Sequence, residues 1–79
     1  MADLHQLETL AVAVDQAAHD LNNLCTSLLG FAELAQDGLA PGSPEHGYLA
    51  EVSDSGRHAI VVAERLRQIA SELRKSGPG

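Results

Sequence analysis

Steps of three and four residues from Leu4 land on Leu7, Ala11, Val14, Ala18, Leu21, Cys25, Leu28, Ala32, Ala35 and Leu39, so an apolar side chain or a thiol recurs along one line without a break. That period belongs to a helix packed lengthwise against other helices, and no strand satisfies it. A second row spaced by seven, Leu10, Ala17, Leu24 and Phe31, widens the stripe beyond the narrow seam of a two-stranded coil. One neighbouring helix would leave part of so wide a stripe uncovered.

The ends of this helix are written locally. Asp3 followed by Gln6 is a capping-box arrangement, and Gly38 directly after Asp37 offers a left-handed terminating residue. A helix over 4–37 is therefore predicted, about 50 Å long at a rise of 1.5 Å per residue. The stretch 38–43 is turn-forming, and Ser43-Pro44 reads as an N-cap with proline at the first helical position. A second helix over 44–75 carries its own seam, Leu49, Val52, Gly56, Ala59, Ala63, Leu66, Ala70 and Leu73, flanked by Tyr48, Ser55, Val62 and Ile69. It closes with Arg74 and Lys75 against the negative helix end, before Gly77-Pro78.

Two helices of matched length joined by a short connection form an antiparallel hairpin. The expectation is a single all-α domain over 1–79, a long helical hairpin that dimerises into a four-helix bundle and buries the excess apolar width. Chain length points the same way, since 79 residues give a marginal core without a partner or a staple. Gly56 on the seam is expected to allow close helix approach, whereas Gly30 has no account in helix propensity, where glycine costs about 1 kcal/mol against alanine.

Composition removes several function classes. With one Phe, one Tyr and no Trp, the chain lacks the aromatic platform on which single-stranded nucleic acid stacks. A net charge of −6 opposes binding to a phosphate backbone or an anionic membrane surface. The basic residues Arg57, Arg65, Arg67, Arg74 and Lys75 all lie in the last third, where Arg57, Arg65 and Arg67 are expected to pair with the acidic first helix of a neighbour. No apolar run of membrane-spanning length and no leader pattern occurs, and the lone Cys25 suits a reducing compartment, so the expected location is cytoplasmic.

On the heptad frame His19 and Asn23 fall at outward positions one helical turn apart, with Asp15 a turn before the histidine and Asp20 adjacent to it. An imidazole flanked by carboxylates can hold one ring nitrogen in a hydrogen bond and keep the other as a neutral nucleophile, which is what attack on a phosphoryl group requires. An exposed surface histidine on a polar helix face is the ordinary alternative.

The stretch from Ala18 to Leu34, Ala-His-Asp-Leu-Asn-Asn-Leu-Cys-Thr-Ser-Leu-Leu-Gly-Phe-Ala-Glu-Leu, closely resembles the phosphoacceptor box of the dimerisation and histidine-phosphotransfer domain of sensor histidine kinases. The second helix, with Leu66-Arg67-Gln68-Ile69, is similar to that family's second helix, a weaker match; the whole resemblance covers Asp15 to about Leu73. It also accommodates Gly30, and it departs at Cys25, where the family usually has leucine. The resemblance implies a two-component phosphorelay role in which His19 is phosphorylated on a ring nitrogen. Asp20 would orient the ring and accept its proton, and Asn23 would position a water for dephosphorylating a partner's phospho-aspartate. The implied partners are a second copy of the chain, a response-regulator receiver domain docking near the histidine and helix 2, and a kinase ATP-binding domain. ATP and Mg²⁺ come with those partner domains, and no cofactor is expected on this chain. Nothing here resembles the Asp-x-Gly-x-Gly box of the ATP-binding domain, so self-phosphorylation unaided is not expected; an excised kinase segment and a free-standing phosphotransfer protein both fit.

Other histidines have plainer readings. His58 follows Asp54 by one turn, which a surface hydrogen bond explains, and His5 and His46 lack ligand-spaced partners for zinc. Folding the chain about Ala40 and Pro41 brings His58 level with Asn23 and Arg65 level with Gln16. The Glu33 and Asp37 pair is expected to be a solvated, mildly repulsive face. A function of another class, a non-catalytic dimerisation or adaptor module whose groove takes a partner helix, also suits the long apolar seams.

Overall fold

A computed structural model describes residues 3–75. The chain forms two helices, α1 over Leu4–Asp37 and α2 over Pro44–Lys75, folded back on each other into an antiparallel hairpin 58 × 17 × 14 Å in extent. The α1 start is the capping box expected. Asp3 Oδ1 accepts from the Gln6 backbone N–H at 2.8 Å, and Gln6 Oε1 accepts from the Asp3 N–H at 3.0 Å, so two otherwise orphaned donors are satisfied. At α2 the Ser43 hydroxyl accepts from the His46 N–H at 3.2 Å, leaving Pro44 where its missing N–H is harmless. Arg74 and Lys75 occupy the last turn, and the Gly77-Pro78 stop lies outside the described residues.

The end of α1 differs from the sequence expectation. Gly38 sits at φ −83° and ψ 0°, a right-handed helical conformation, so the left-handed freedom of glycine is not used. The helix closes by tightening instead: the Gly38 N–H donates to the Ala35 carbonyl at 3.3 Å and the Leu39 N–H to Gln36 at 3.0 Å, satisfying carbonyls that would otherwise be orphaned.

Packing within the hairpin selects only part of each seam. The buried residues are Ala11, Ala18, Cys25 and Ala32 on α1, and Ser53, Gly56, Ala63 and Ala70 on α2. All are small. A Cβ built on Gly56 would come within 3.0 Å of the Leu29 side chain, so the glycine makes room for that leucine; the three nearest atoms all belong to the side chain and none to the α1 backbone. Larger seam residues lie off the contact line. Leu21, Leu28 and Val52, expected inside the seam, remain open to solvent, while Ser53, absent from the expected core, is buried in their place.

At 3.6 residues per turn, positions three before and three after a buried residue fall on opposite flanks of a helix. On one flank of the hairpin lies the apolar surplus. Leu28 with Tyr48, Val52 and Ala59 walls a groove floored by Cys25 and Gly56, and Leu24 and Phe31 beside it stay 69% and 71% exposed. The other flank is polar, cross-linked from α1 to α2 by Asp15 with Arg67 at 3.2 Å, Asn22 with Glu64 at 3.4 Å and Glu33 with Arg57 at 3.6 Å. These arginines therefore meet the acidic helix of their own chain, where a neighbouring chain was expected. No helix among the described residues is long and apolar enough to cross a membrane.

Candidate functional site

His19 follows the buried Ala18 and projects from the polar flank, exposed. Asn23 is one turn further on α1, and its side-chain nitrogen lies 3.3 Å from His19 Nε2. The amide's orientation sets the tautomer: its oxygen at this contact would accept a hydrogen bond from a protonated Nε2, whereas its nitrogen donates to Nε2 and pairs with a ring protonated on Nδ1. That is the tautomer in which Nε2 keeps its lone pair available as a nucleophile once the amide swings aside.

The carboxylates are arranged differently from the expectation. Asp15, a turn before the histidine, is held by Arg67 Nε at 3.2 Å, and Asp20 lies in the same cleft without a bond to the ring. Among the described residues, the ring's hydrogen bond comes from the Asn23 amide and from neither acid. The guanidinium of Arg67 meets Asp15 with charge on both sides of the bond, where a neutral imidazole would bring charge on the acceptor side alone.

Asp15, Gln16, His19, Asp20 and Arg67 line one open cleft. Arg67 is the member that sequence reasoning missed, having placed Arg65 beside Gln16. A helical side chain leans toward the N-terminus of its own helix by about one position. In an antiparallel pair both leans add, which moves the contacting residue about two positions along α2, from 65 to 67. The other cross-links, Asn22 with Glu64 and Glu33 with Arg57, are displaced further, so the register of the two helices also differs from a simple fold about Ala40 and Pro41.

Of the remaining histidines, His58 loses its candidate acid and His46 gains a side-chain neighbour. Asp54, one turn before His58, accepts from Arg57 at 3.2 Å, so the acid that resembled a histidine partner is committed elsewhere. Glu33 pairs with the same arginine, which relieves its repulsion from Asp37. His46 sits at the closed end of the hairpin, where Gln36 Nε2 lies 3.4 Å from both its Nδ1 and its carbonyl oxygen. Among the described residues, no group of three His, Cys, Asp or Glu side chains could hold a metal ion. No family model matches the chain, and no solved structure matches it.

Proposed function

We propose that this hairpin is a phosphoacceptor unit of a two-component phosphorelay, taking a phosphoryl group on His19 and passing it to the aspartate of a response-regulator receiver domain. One observation carries the reading: the His19 ring is exposed with Asn23 one turn on at its Nε2, on the flank away from the apolar groove. Covering that groove with a second copy to complete a four-helix bundle leaves the imidazole accessible. The lone pair of Nε2 attacks phosphorus as the P–O bond to the leaving group breaks and carries its electron pair away. Loss of the Nδ1 proton, to Asp20 or to water, gives a phosphohistidine with an uncharged ring and an anionic phosphoryl group. Transfer to a receiver carboxylate needs that proton back: Nδ1 is reprotonated, the P–N bond breaks with its electron pair returning to Nε2, and the P–O bond to the carboxylate oxygen forms. A separate kinase domain supplies ATP and Mg²⁺ for loading, and the receiver brings Mg²⁺ for transfer.

Incubation with a histidine-kinase ATP-binding domain and γ-labelled ATP is expected to label the wild-type chain and not His19→Gln. Label that survives in His19→Gln and disappears in His58→Gln would move the site to α2. The continuous apolar groove also favours a second reading, a helical dimerisation or adaptor module with an inert histidine. Receiver binding that is equal in wild type and His19→Ala, with no phosphoryl transfer, would select that reading.

A further inference from the structure

The cleft at His19 has a charge problem that only one of its side chains can solve. Asp15 and Asp20 already place two carboxylates there, and a phosphoryl group on Nε2 adds between one and two further negative charges within a turn of both. Arg67 is the one cationic side chain lining the cleft, and it arrives from the opposite helix. Its contact with Asp15 uses Nε, which leaves the four N–H donors of the two terminal nitrogens. No ion pair occupies those nitrogens among the described residues. Both partners are partly exposed, 45% for Arg67 and 36% for Asp15, so the pair is screened and can be broken at small cost. A guanidinium fork prefers phosphoryl oxygens, which accept two parallel bonds and carry more charge than one carboxylate.

We infer that Arg67 is a positioning residue for the phosphoryl group at His19: Asp15 parks it in the unloaded state, and loading draws its guanidinium from the carboxylate onto the phosphoryl oxygens. This inference rests on the phosphoacceptor reading of His19. It adds that α2 senses the loading of α1, because the cross-link between the two helices changes partner when the phosphoryl arrives. Asp15 thereby acts as a competitor that keeps the cation close and weakens its hold on the product.

The test uses the full-length chain and phosphoramidate, a chemical donor that phosphorylates exposed imidazoles without a kinase, followed by ³¹P NMR. His19→Gln identifies the His19 signal by its loss, and the exposed His5 and His58 provide internal references. An arginine against the phosphoryl group stabilises its dianion. In Arg67→Gln the pH midpoint of the His19 phosphoryl signal is therefore expected to rise by about 0.5 to 1 unit, a threefold to tenfold weaker proton release, while the reference signals stay put. Arg67→Lys should recover part of the shift. Asp15→Asn, which frees the guanidinium, should move the midpoint downward. Asp15→Asn lowers the midpoint in part merely by removing a carboxylate, so if circular dichroism shows Arg67→Gln unfolded, the deciding comparison is Asp15→Asn/Arg67→Lys against Asp15→Asn: a midpoint raised by the lysine supports the idea and an unchanged one overturns it.

Identical His19 midpoints in wild type, Arg67→Gln and Asp15→Asn would overturn the inference while leaving the phosphoacceptor role untouched. Failure of the labelling by kinase and ATP, with the midpoint shifts intact, would instead remove the relay role and keep the phosphoryl-binding cleft.

Discussion

Truncating Leu28 to alanine tests whether the open apolar flank is an interface. Leu28 walls the groove beside Cys25 and keeps 52% of its surface exposed, so about half of its burial energy is still to be gained. Full burial of a leucine stabilises by about 1.5–3 kcal/mol, and half of that is roughly 1 kcal/mol per copy. A two-fold dimer contains the contact twice. Leu28→Ala should therefore weaken association by about 2 kcal/mol, which is roughly 30-fold in Kd. The hairpin itself should keep most of its helicity, because its own contact line runs through Ala18, Cys25 and Ala32, which the substitution does not touch. Sedimentation equilibrium across a concentration series measures the dissociation constant, with His19→Gln as a control on the opposite flank. A wild-type chain that stays fully helical and monomeric at every concentration would refute the reasoning, as would a Leu28→Ala Kd equal to that of wild type.

Further substitutions separate the local devices of the fold. Ser53 Oγ is buried without a hydrogen-bond partner among the described residues, so Ser53→Ala should raise stability to urea by about 1 kcal/mol, and a loss of stability would mean that the hydroxyl has a partner after all. Gly56→Val should destabilise the hairpin by about 1–3 kcal/mol in the same assay, since even its Cβ would meet Leu29 at 3.0 Å. At Gly30 a methyl group would stand in open space with nothing within 4 Å, so Gly30→Ala should gain about 1 kcal/mol of helix propensity without changing the dimer constant. Asp3→Ala removes the α1 cap and should cost about 1 kcal/mol, readable as a drop of about 4–8 °C in Tm.

The sequence was most legible where the physics is local. Both helices, the Asp3 and Gln6 capping box and the Ser43 cap depend on residues within one turn of each other, and the structure places them where the pattern did. Heptad spacing likewise found the line through Ala11, Ala18, Cys25 and Ala32, because only one face of α1 can meet α2. It could not tell which of the alternating positions face the partner helix and which face outward. That choice depends on which side chains the contact line accepts: Gly56 and Ala63 lie on it, and Leu21 and Leu28 lie off it. Gly38 misled for a related reason, as a helix end can satisfy its carbonyls by a tighter turn with no left-handed residue. At the site, His19 and Asn23 were legible from their one-turn spacing, whereas Arg67 required knowing how side chains lean across an antiparallel pair and the register of the two helices.

The most direct measurement of the central claim is mass-spectrometric mapping of the phosphorylated residue, under alkaline conditions that preserve P–N bonds, before and after addition of a receiver domain with Mg²⁺. The expected result is phosphate on the peptide carrying His19, disappearing as it accumulates on the receiver's aspartate. Phosphate that never resides on His19, or that stays there while a receiver bound to the hairpin remains unmodified, would contradict it.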